Sequence, residues 1–498
     1  MRTENVFYTS TRGKGKTISS SEAIVRGIAD DGGLFVPDNI PYIEDGLEEL
    51  ASMTYKELAF KIMDMFFTDF KDIDLKDCIN KAYDSKFDTP EIAPVVKKGD
   101  RHYLELFHGA TLAFKDMALS ILPHLLKYAV KNISIDKKIV ILTATSGDTG
   151  KAALESFADV ENTLIIVFYP KEGVSKIQER QMITQQGGNT SVIAIKGNFD
   201  DAQNGVKKIF ADQGLKDDMS RNGFMFSSAN SINIGRLIPQ IVYYIYAYTR
   251  LLRSKSLNRP EPVDIVVPTG NFGNILAAYY SYKMGLPVSR LICASNENNV
   301  LYDFLNTGQY DRRRDLILTS SPSMDILVSS NLERLLYDIS GQDPERINDL
   351  MERLRSKGVF SIGTGMRQGL DKFYGQFATE KEVFSTIKKT FDMHDYLIDT
   401  HTAVGSCVYD KYISGSGDRR EVIIASTASP FKFPRAVLGS ISQRLEKEDD
   451  FKLIKILSET TGYKVPAQLA DLDTRPVLHD RVCEKDGMLD EVKDILGI

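Results

Sequence analysis

The sequence predicts an α/β fold of parallel sheets preceded by a mostly helical unit, and three observations carry that prediction. From about residue 138 onward, short β-branched apolar runs alternate with helical segments. Those runs are apolar throughout rather than alternating, which is the pattern of strands covered on both faces of a parallel sheet. Residues 1–95, by contrast, carry apolar residues mostly at helical spacing. A chain of 498 residues also exceeds one hydrophobic core, so two or three domains are expected.

In chain order, 19–29 reads as a helix, and Gly32-Gly33-Leu-Phe-Val-Pro37 as a turn with a short extended piece. Residues 47–70 read as helical through Leu50, Met53, Leu58, Phe60, Ile62, Met63, Phe66 and Phe67. Pro90 and Pro94 make 86–96 an extended link. A helix is expected over 117–130. Strands are expected at 138–143, at 163–169 before Pro170, at 191–195 before Gly197, at 263–267 before Pro268, at 291–294 and at 421–425. Polar stretches near 250–262 and 414–420 read as surface loops, and 441–498 as a helical tail. In such sheets the chemistry collects at the carboxyl ends of the strands.

Composition bounds the function. A formal net charge of −6 argues against nucleic-acid binding as the main task. The start, Met-Arg-Thr-Glu-Asn, lacks the apolar core of a signal peptide. Apolar stretches are interrupted within about ten residues, so no membrane-spanning helix is expected. The four cysteines form no Cys-x-x-Cys and the six histidines do not cluster. These features predict reduced thiols in a cytoplasmic protein and no metal site.

Four loops carry chemistry. The run Glu105-Leu-Phe-His-Gly-Ala-Thr-Leu-Ala-Phe-Lys115-Asp116 puts a lysine where a loop of small residues enters an apolar helix. A cation there opposes the helix dipole, and a desolvated lysine loses its proton easily. A neutral amine in a closed site is what Schiff-base chemistry requires; the alternative is a surface lysine at a helix start. The segment Thr143-Ala-Thr145-Ser146-Gly147-Asp148-Thr149-Gly150 follows a strand and opens a helix, forming either an anion cradle or simple N-capping. Pro268-Thr-Gly270-Asn271-Phe272-Gly273-Asn274 repeats that arrangement with glycines that let an anion approach the backbone. It is not the dinucleotide fingerprint Gly-x-Gly-x-x-Gly. Ser426-Thr427-Ala-Ser429-Pro ends a further strand, as an ordinary hydroxyl turn or as a partner for a ring nitrogen. Gly13-Lys-Gly15-Lys16-Thr17 ends like a phosphate loop, but Ser10 stands where its first glycine belongs and no strong strand precedes it.

Together these runs resemble the threonine synthase family. The lysine run resembles that family's Phe-His-Gly-Pro-Thr-Xaa-Ala-Phe-Lys-Asp, and the last loop its Thr-Ala-His-Pro-Ala-Lys-Phe. Ser228-Ala-Asn-Ser-Ile-Asn233-Xaa-Xaa-Arg236, Asp399-Thr-His401-Thr-Ala-Val404-Gly405, Tyr8-Thr-Ser-Thr-Arg12-Gly13 and Gly33-Leu-Phe-Val-Pro37 add support. The resemblance runs from about residue 8 to residue 433, with Ala110, Thr400 and Ser429 departing from the usual Pro, Pro and His.

The resemblance implies a fold-type-II pyridoxal-phosphate enzyme: two parallel-sheet α/β domains with the cofactor between them, plus a mostly helical N-terminal domain. The implied divisions are 1–95, a catalytic region 96–440 with its smaller subdomain about 126–234, and the helical tail 441–498. Lys115 would bind the cofactor covalently and do the proton transfers; Gly270, Asn271, Phe272, Gly273 and Asn274 would hold its phosphate; Thr427 would face its pyridine nitrogen. Thr145, Ser146, Gly147, Asp148, Thr149, Asn233 and Arg236 would bind substrate, Arg236 and Lys432 being the candidates for its phosphate. A carboxylate beside a substrate carboxylate is repelled, so Asp148 is expected to be protonated or turned to another partner. The implied reaction converts O-phospho-L-homoserine and water to L-threonine and phosphate. A threonine-synthase-like phospho-lyase and a non-catalytic cofactor-binding homologue are the alternatives. The small-molecule substrate is the expected partner, with no nucleic acid and no membrane, in a monomer or homodimer.

Overall fold

The computed structural model describes residues 5–13, 15–145, 147–172, 174–442 and 448–498. The N-terminal unit pairs Tyr8–Ser10 with Phe35–Pro37 in an antiparallel ribbon and adds the helices Ser20–Arg26, Leu47–Leu50, Tyr55–Phe66 and Asp72–Ala82. The single helix expected over 47–70 is therefore two. Thr54 restarts the chain with a capping box, its hydroxyl accepting from the Glu57 N–H while Glu57 reaches back to the Thr54 N–H. Leu58, Ala59, Ile62, Met63 and Phe66 are buried beneath it. They join the core that also holds the helix Ile234–Arg253, each large side chain contributing about 1.5–3 kcal/mol.

Two sheets follow. The larger has six strands in the order Phe373–Phe377, Val288–Ser295, Val263–Pro268, Val422–Ser426, Arg101–Glu105 and Val95–Lys98, parallel except for the last. The smaller has five parallel strands in the order Arg481–Glu484, Thr190–Lys196, Thr163–Pro170, Lys138–Ala144 and Phe224–Ser227. Each expected strand is present, and the apolar runs are buried.

Two expectations are corrected. The helix after Lys115 is broken into a single turn, Asp116–Leu119, and the helix Leu122–Asn132. Pro123 forces the break, because its ring lacks an N–H and clashes with the carbonyl four residues earlier. The tail is not purely helical either. Arg481–Glu484 pairs in parallel with Thr190–Lys196 and lengthens the smaller sheet by one edge strand. Only Cys483 of its four residues is buried, so no apolar run announces it. Among the described residues, no helix is long and apolar enough to cross a membrane, and no group of three or more His, Cys, Asp or Glu side chains could hold a metal ion.

Candidate active site

Loops leaving the carboxyl ends of strands in both sheets meet around Lys115. Its own loop is stitched to the loop after Val422–Ser426: the Leu106 N–H donates to the Ser426 carbonyl (2.9 Å), Phe114 N–H to the Thr427 carbonyl (2.8 Å), and Ser429 N–H to the Leu112 carbonyl (3.0 Å). Leu112 sits in the left-handed region (φ 59°), a strained conformation for a leucine. Asp116 fixes the other end by accepting from the Thr111 N–H (2.8 Å) and hydroxyl (2.5 Å).

Lys115 is 9 % exposed. Its Nζ donates to Ser323 Oγ at 3.1 Å and lies 3.7 Å from Asp148 Oδ2. Burial lowers its pKa, and the charges of Lys432 and Arg236 add to that, while Asp148 and Asp116 oppose it. The group is thus biased toward the neutral amine.

Asp148 opens the helix Asp148–Phe157. Its Oδ1 meets Lys432 Nζ at 2.6 Å and accepts from Gln178 Nε2 at 3.0 Å, and its Oδ2 accepts from Ser323 Oγ at 3.3 Å. Burial alone would raise its pKa. The charges of Lys432 and Lys115 and the hydrogen bonds from Lys432 and Gln178 outweigh that and hold the carboxyl far below the usual range. Of the two expected states, Asp148 adopts the ionised one with another partner. Thr145 spends its hydroxyl on the loop itself, accepting from the Gly147 and Gly150 N–H groups, both at 2.9 Å. Gly147 has φ +142°, and a Cβ there would collide with Gln178. Thr149 is half-buried, and Ser146 lies outside the described residues.

The glycine loop precedes the helix Gly273–Lys283, with Phe272 left-handed at φ 62°. A Cβ on Gly270 would lie 2.6 Å from the Ser323 carbonyl oxygen, so only glycine fits. The loop carbonyls are tied back: Gly270 O accepts from Ser329 Oγ (2.8 Å), and Asn271 O from the Asn331 N–H and Nδ2 (both 3.0 Å). Asn274 Oδ1 accepts from Tyr243 Oη (2.7 Å) and Tyr244 Oη (2.5 Å), whereas its Nδ2 is buried without a partner.

Arg236 is 4 % exposed. Its Nη1 donates to the Ala229 carbonyl at 2.8 Å, and its Nε has no partner among the described residues. Burial lowers its pKa to about 10. A cation buried without a carboxylate partner is costly unless an anion joins it. Asn233, expected to bind substrate, is instead a structural cap. Its Oδ1 accepts from the Gly235 N–H, and its Nδ2 donates to the carbonyls of Ile24 and Ser228. Thr427 is buried, and its carbonyl accepts from the Phe114 N–H.

Ser323 and Gln178 carry no signal in the sequence, since a hydroxyl after Pro322 and an amide in a helix are chemically quiet. His401, buried in the segment Asp399–Gly405, accepts from the Ser323 N–H at 3.2 Å through Nε2.

Comparison with known proteins gives three family models in chain order: Threonine synthase N terminus over residues 7–83, Pyridoxal-phosphate dependent enzyme over 103–415, and Threonine synthase, C-terminal over 402–495. A threonine synthase of Saccharomyces cerevisiae is 38% identical over 466 residues, 87% of this chain and 89% of the relative. A threonine synthase-like 1 protein of Homo sapiens is 37% identical over 478 residues, 93% of this chain but 62% of that longer protein. A pyridoxal-phosphate-bound threonine synthase from Brucella melitensis matches in structure with a TM-score of 0.87 at 34% identity, covering 99% of each chain.

Proposed function

We propose a residue-level function from one premise: this chain belongs to the threonine synthase family of pyridoxal-phosphate-dependent enzymes. Its reaction is the conversion of O-phospho-L-homoserine and water to L-threonine and phosphate. The residues fit the cofactor: a buried amine with a lowered pKa, a glycine loop closed to any side chain, and a buried Asn274 Nδ2 with no partner among the described residues. When bound, pyridoxal phosphate supplies an aldehyde for an amine to capture and a ring that draws electrons from the substrate.

Lys115 Nζ is the amine that holds the cofactor. The loop Gly270–Asn274 and the start of the helix Gly273–Lys283 would hold its phosphate, and the Thr427 hydroxyl would serve its ring nitrogen. The start of the helix Asp148–Phe157 would take the substrate carboxylate, with Lys432 cancelling the charge of Asp148. Arg236 holds the substrate phosphate, and its unpartnered Nε is the observation that carries this assignment. With its amine free, Lys115 Nζ would take one proton from Cα and one from Cβ and return them at Cγ and Cα; phosphate would leave Cγ toward Arg236, and water would give its hydroxyl to Cβ and its remaining proton to the phosphate.

Product analysis of the cofactor-loaded protein with O-phospho-L-homoserine tests this reading. Equimolar threonine and phosphate are expected. Phosphate with 2-oxobutyrate and ammonia would instead make the protein a phospho-lyase, the reading that its synthase-like relatives keep open. We also place it in the cytoplasm, a reading that its four free, buried cysteines support. Finding it in a secreted or membrane fraction would overturn that.

A further inference from the structure

Lys115 and Lys432 share one carboxylate unequally. Lys432 Nζ touches Asp148 Oδ1 directly at 2.6 Å, whereas Lys115 Nζ stands 3.7 Å from Oδ2. The Ser323 hydroxyl flanks the wider pair, accepting from Lys115 at 3.1 Å and donating to Asp148 at 3.3 Å. Its position is not left to its own backbone. Thr400 Oγ1 donates to the Ser320 carbonyl at 2.8 Å, and the Ser323 N–H donates to His401 Nε2 at 3.2 Å. An imidazole that accepts at Nε2 carries its proton on Nδ1, and Asp399 Oδ2 receives that proton at 2.7 Å. Asp399 is in turn fixed as the N-cap of the helix Thr400–Ser416, accepting from the His401 and Thr402 N–H groups, both at 3.0 Å. His401 also packs on the Phe433 ring, next to Lys432.

We propose that Ser323 is a catalytic hydroxyl that, by hydrogen-bonding to both, holds Lys115 short of hydrogen-bonding contact with Asp148, and that His401, fixed by Asp399, is the positioning residue that holds Ser323 there. The proposal rests on Lys115 being the cofactor-binding lysine. A lysine in direct contact with a carboxylate keeps its proton, and one that must take protons from carbon cannot. Closing the gap by about 1 Å would raise the proton affinity of Nζ about tenfold at an effective dielectric of about 20. The other charges facing Lys115 are Lys432, Arg236 and Asp116, and none of them lies in that gap.

The test uses the cofactor-loaded variants Ser323→Ala, Ser323→Thr, His401→Ala and His401→Gln, with folding checked by circular dichroism. The readouts are kcat, KM and the pH midpoint of the bound cofactor's visible absorbance. Ser323→Ala should raise the midpoint by about one pH unit, and lower kcat about tenfold or more while KM moves less than about threefold. Ser323→Thr keeps the hydroxyl and should move the midpoint less than Ser323→Ala does. His401→Ala should reproduce Ser323→Ala, and His401→Gln should restore the parent values, because its Oε1 can accept the Ser323 N–H. A folded Ser323→Ala protein with unmoved midpoint and kcat would overturn the role of Ser323. A His401→Ala protein that loses thermal stability but keeps the midpoint would overturn the positioning role. Borohydride trapping and peptide mapping separate these failures from a deeper one: cofactor found on a lysine other than Lys115 would overturn the reading of the site itself.

Discussion

Lys115 and Arg236 are both buried cations, yet burial does different work on each. Lys115 is biased toward a neutral amine that can act on carbonyl and carbon acids. Arg236, even with its pKa lowered to about 10, stays a cation near neutral pH and must find an anion. Lys115→Ala should therefore abolish turnover and the absorbance of lysine-bound cofactor; a variant with parent activity would remove Lys115 from the chemistry. Arg236→Ala should act on binding. Loss of hydrogen bonds to a charged group costs about 1.5–3 kcal/mol, or about ten- to a hundredfold in KM. An unchanged KM for O-phospho-L-homoserine would show that the substrate phosphate sits elsewhere. For Asp148 the place that the resemblance implied left two states open, a protonated carboxyl or one turned to another partner, and the structure supplies Lys432 as that partner. Asn233 adds a role that its motif did not announce, since its amide donates to the carbonyls of Ile24 and Ser228.

At the scale of elements, the strand Val263–Pro268 carries its function at one end and a liability at the other. Its carboxyl end leads into the glycine loop. Near its amino end Asp264 is buried, and neither carboxylate oxygen has a hydrogen-bond partner in good geometry. Burial raises its pKa to about 6 and Asp418 adds to that, against Arg420, Ser289 and the Arg290 N–H. The folded-state pKa thus exceeds that of the unfolded chain, about 3.9. The folded protein holds this proton more tightly, so ionising Asp264 costs stability as pH rises from about 4 through 6, and the cost is full above that. Asp264→Asn should consequently stabilise the protein by about 2–3 kcal/mol at pH 8 and by little at pH 4. Denaturant unfolding followed by circular dichroism at the two pH values checks this; equal effects at both would refute it.

Across the whole molecule, the C-terminal segment crosses from one sheet to the other. Tyr463 Oη donates to the Asp395 carbonyl (3.0 Å), beside the larger sheet, and Gln468 Nε2 lies 3.5 Å from the Gly109 carbonyl in the lysine loop. Arg180, beside the smaller sheet, donates to the carbonyls of Leu472, Asp473 and Arg475 before the chain adds its edge strand. Arg180→Ala should cost about 1–3 kcal/mol by leaving those carbonyls without their charged donor. Urea unfolding monitored by circular dichroism measures it, and no loss would mean that the segment docks without this clasp. The parallel strands and the glycine and lysine loops were legible in the sequence, because each is a local pattern: an apolar run, a glycine at a turn, a hydroxyl or amide at a helix start. The edge strand Arg481–Glu484 was not, because its place depends on a neighbour rather than on its own residues. The same division holds for the chemistry. The sequence by itself determined the fold class and the order of the loops, and it put forward the lysine. Only the tertiary structure decided that Lys432 pairs with Asp148, that Asn233 is a cap, and that Ser323 and His401 stand behind Lys115. Those pairings join residues far apart in the chain, whose approach is set by how the two sheets pack and not by any periodicity along the backbone.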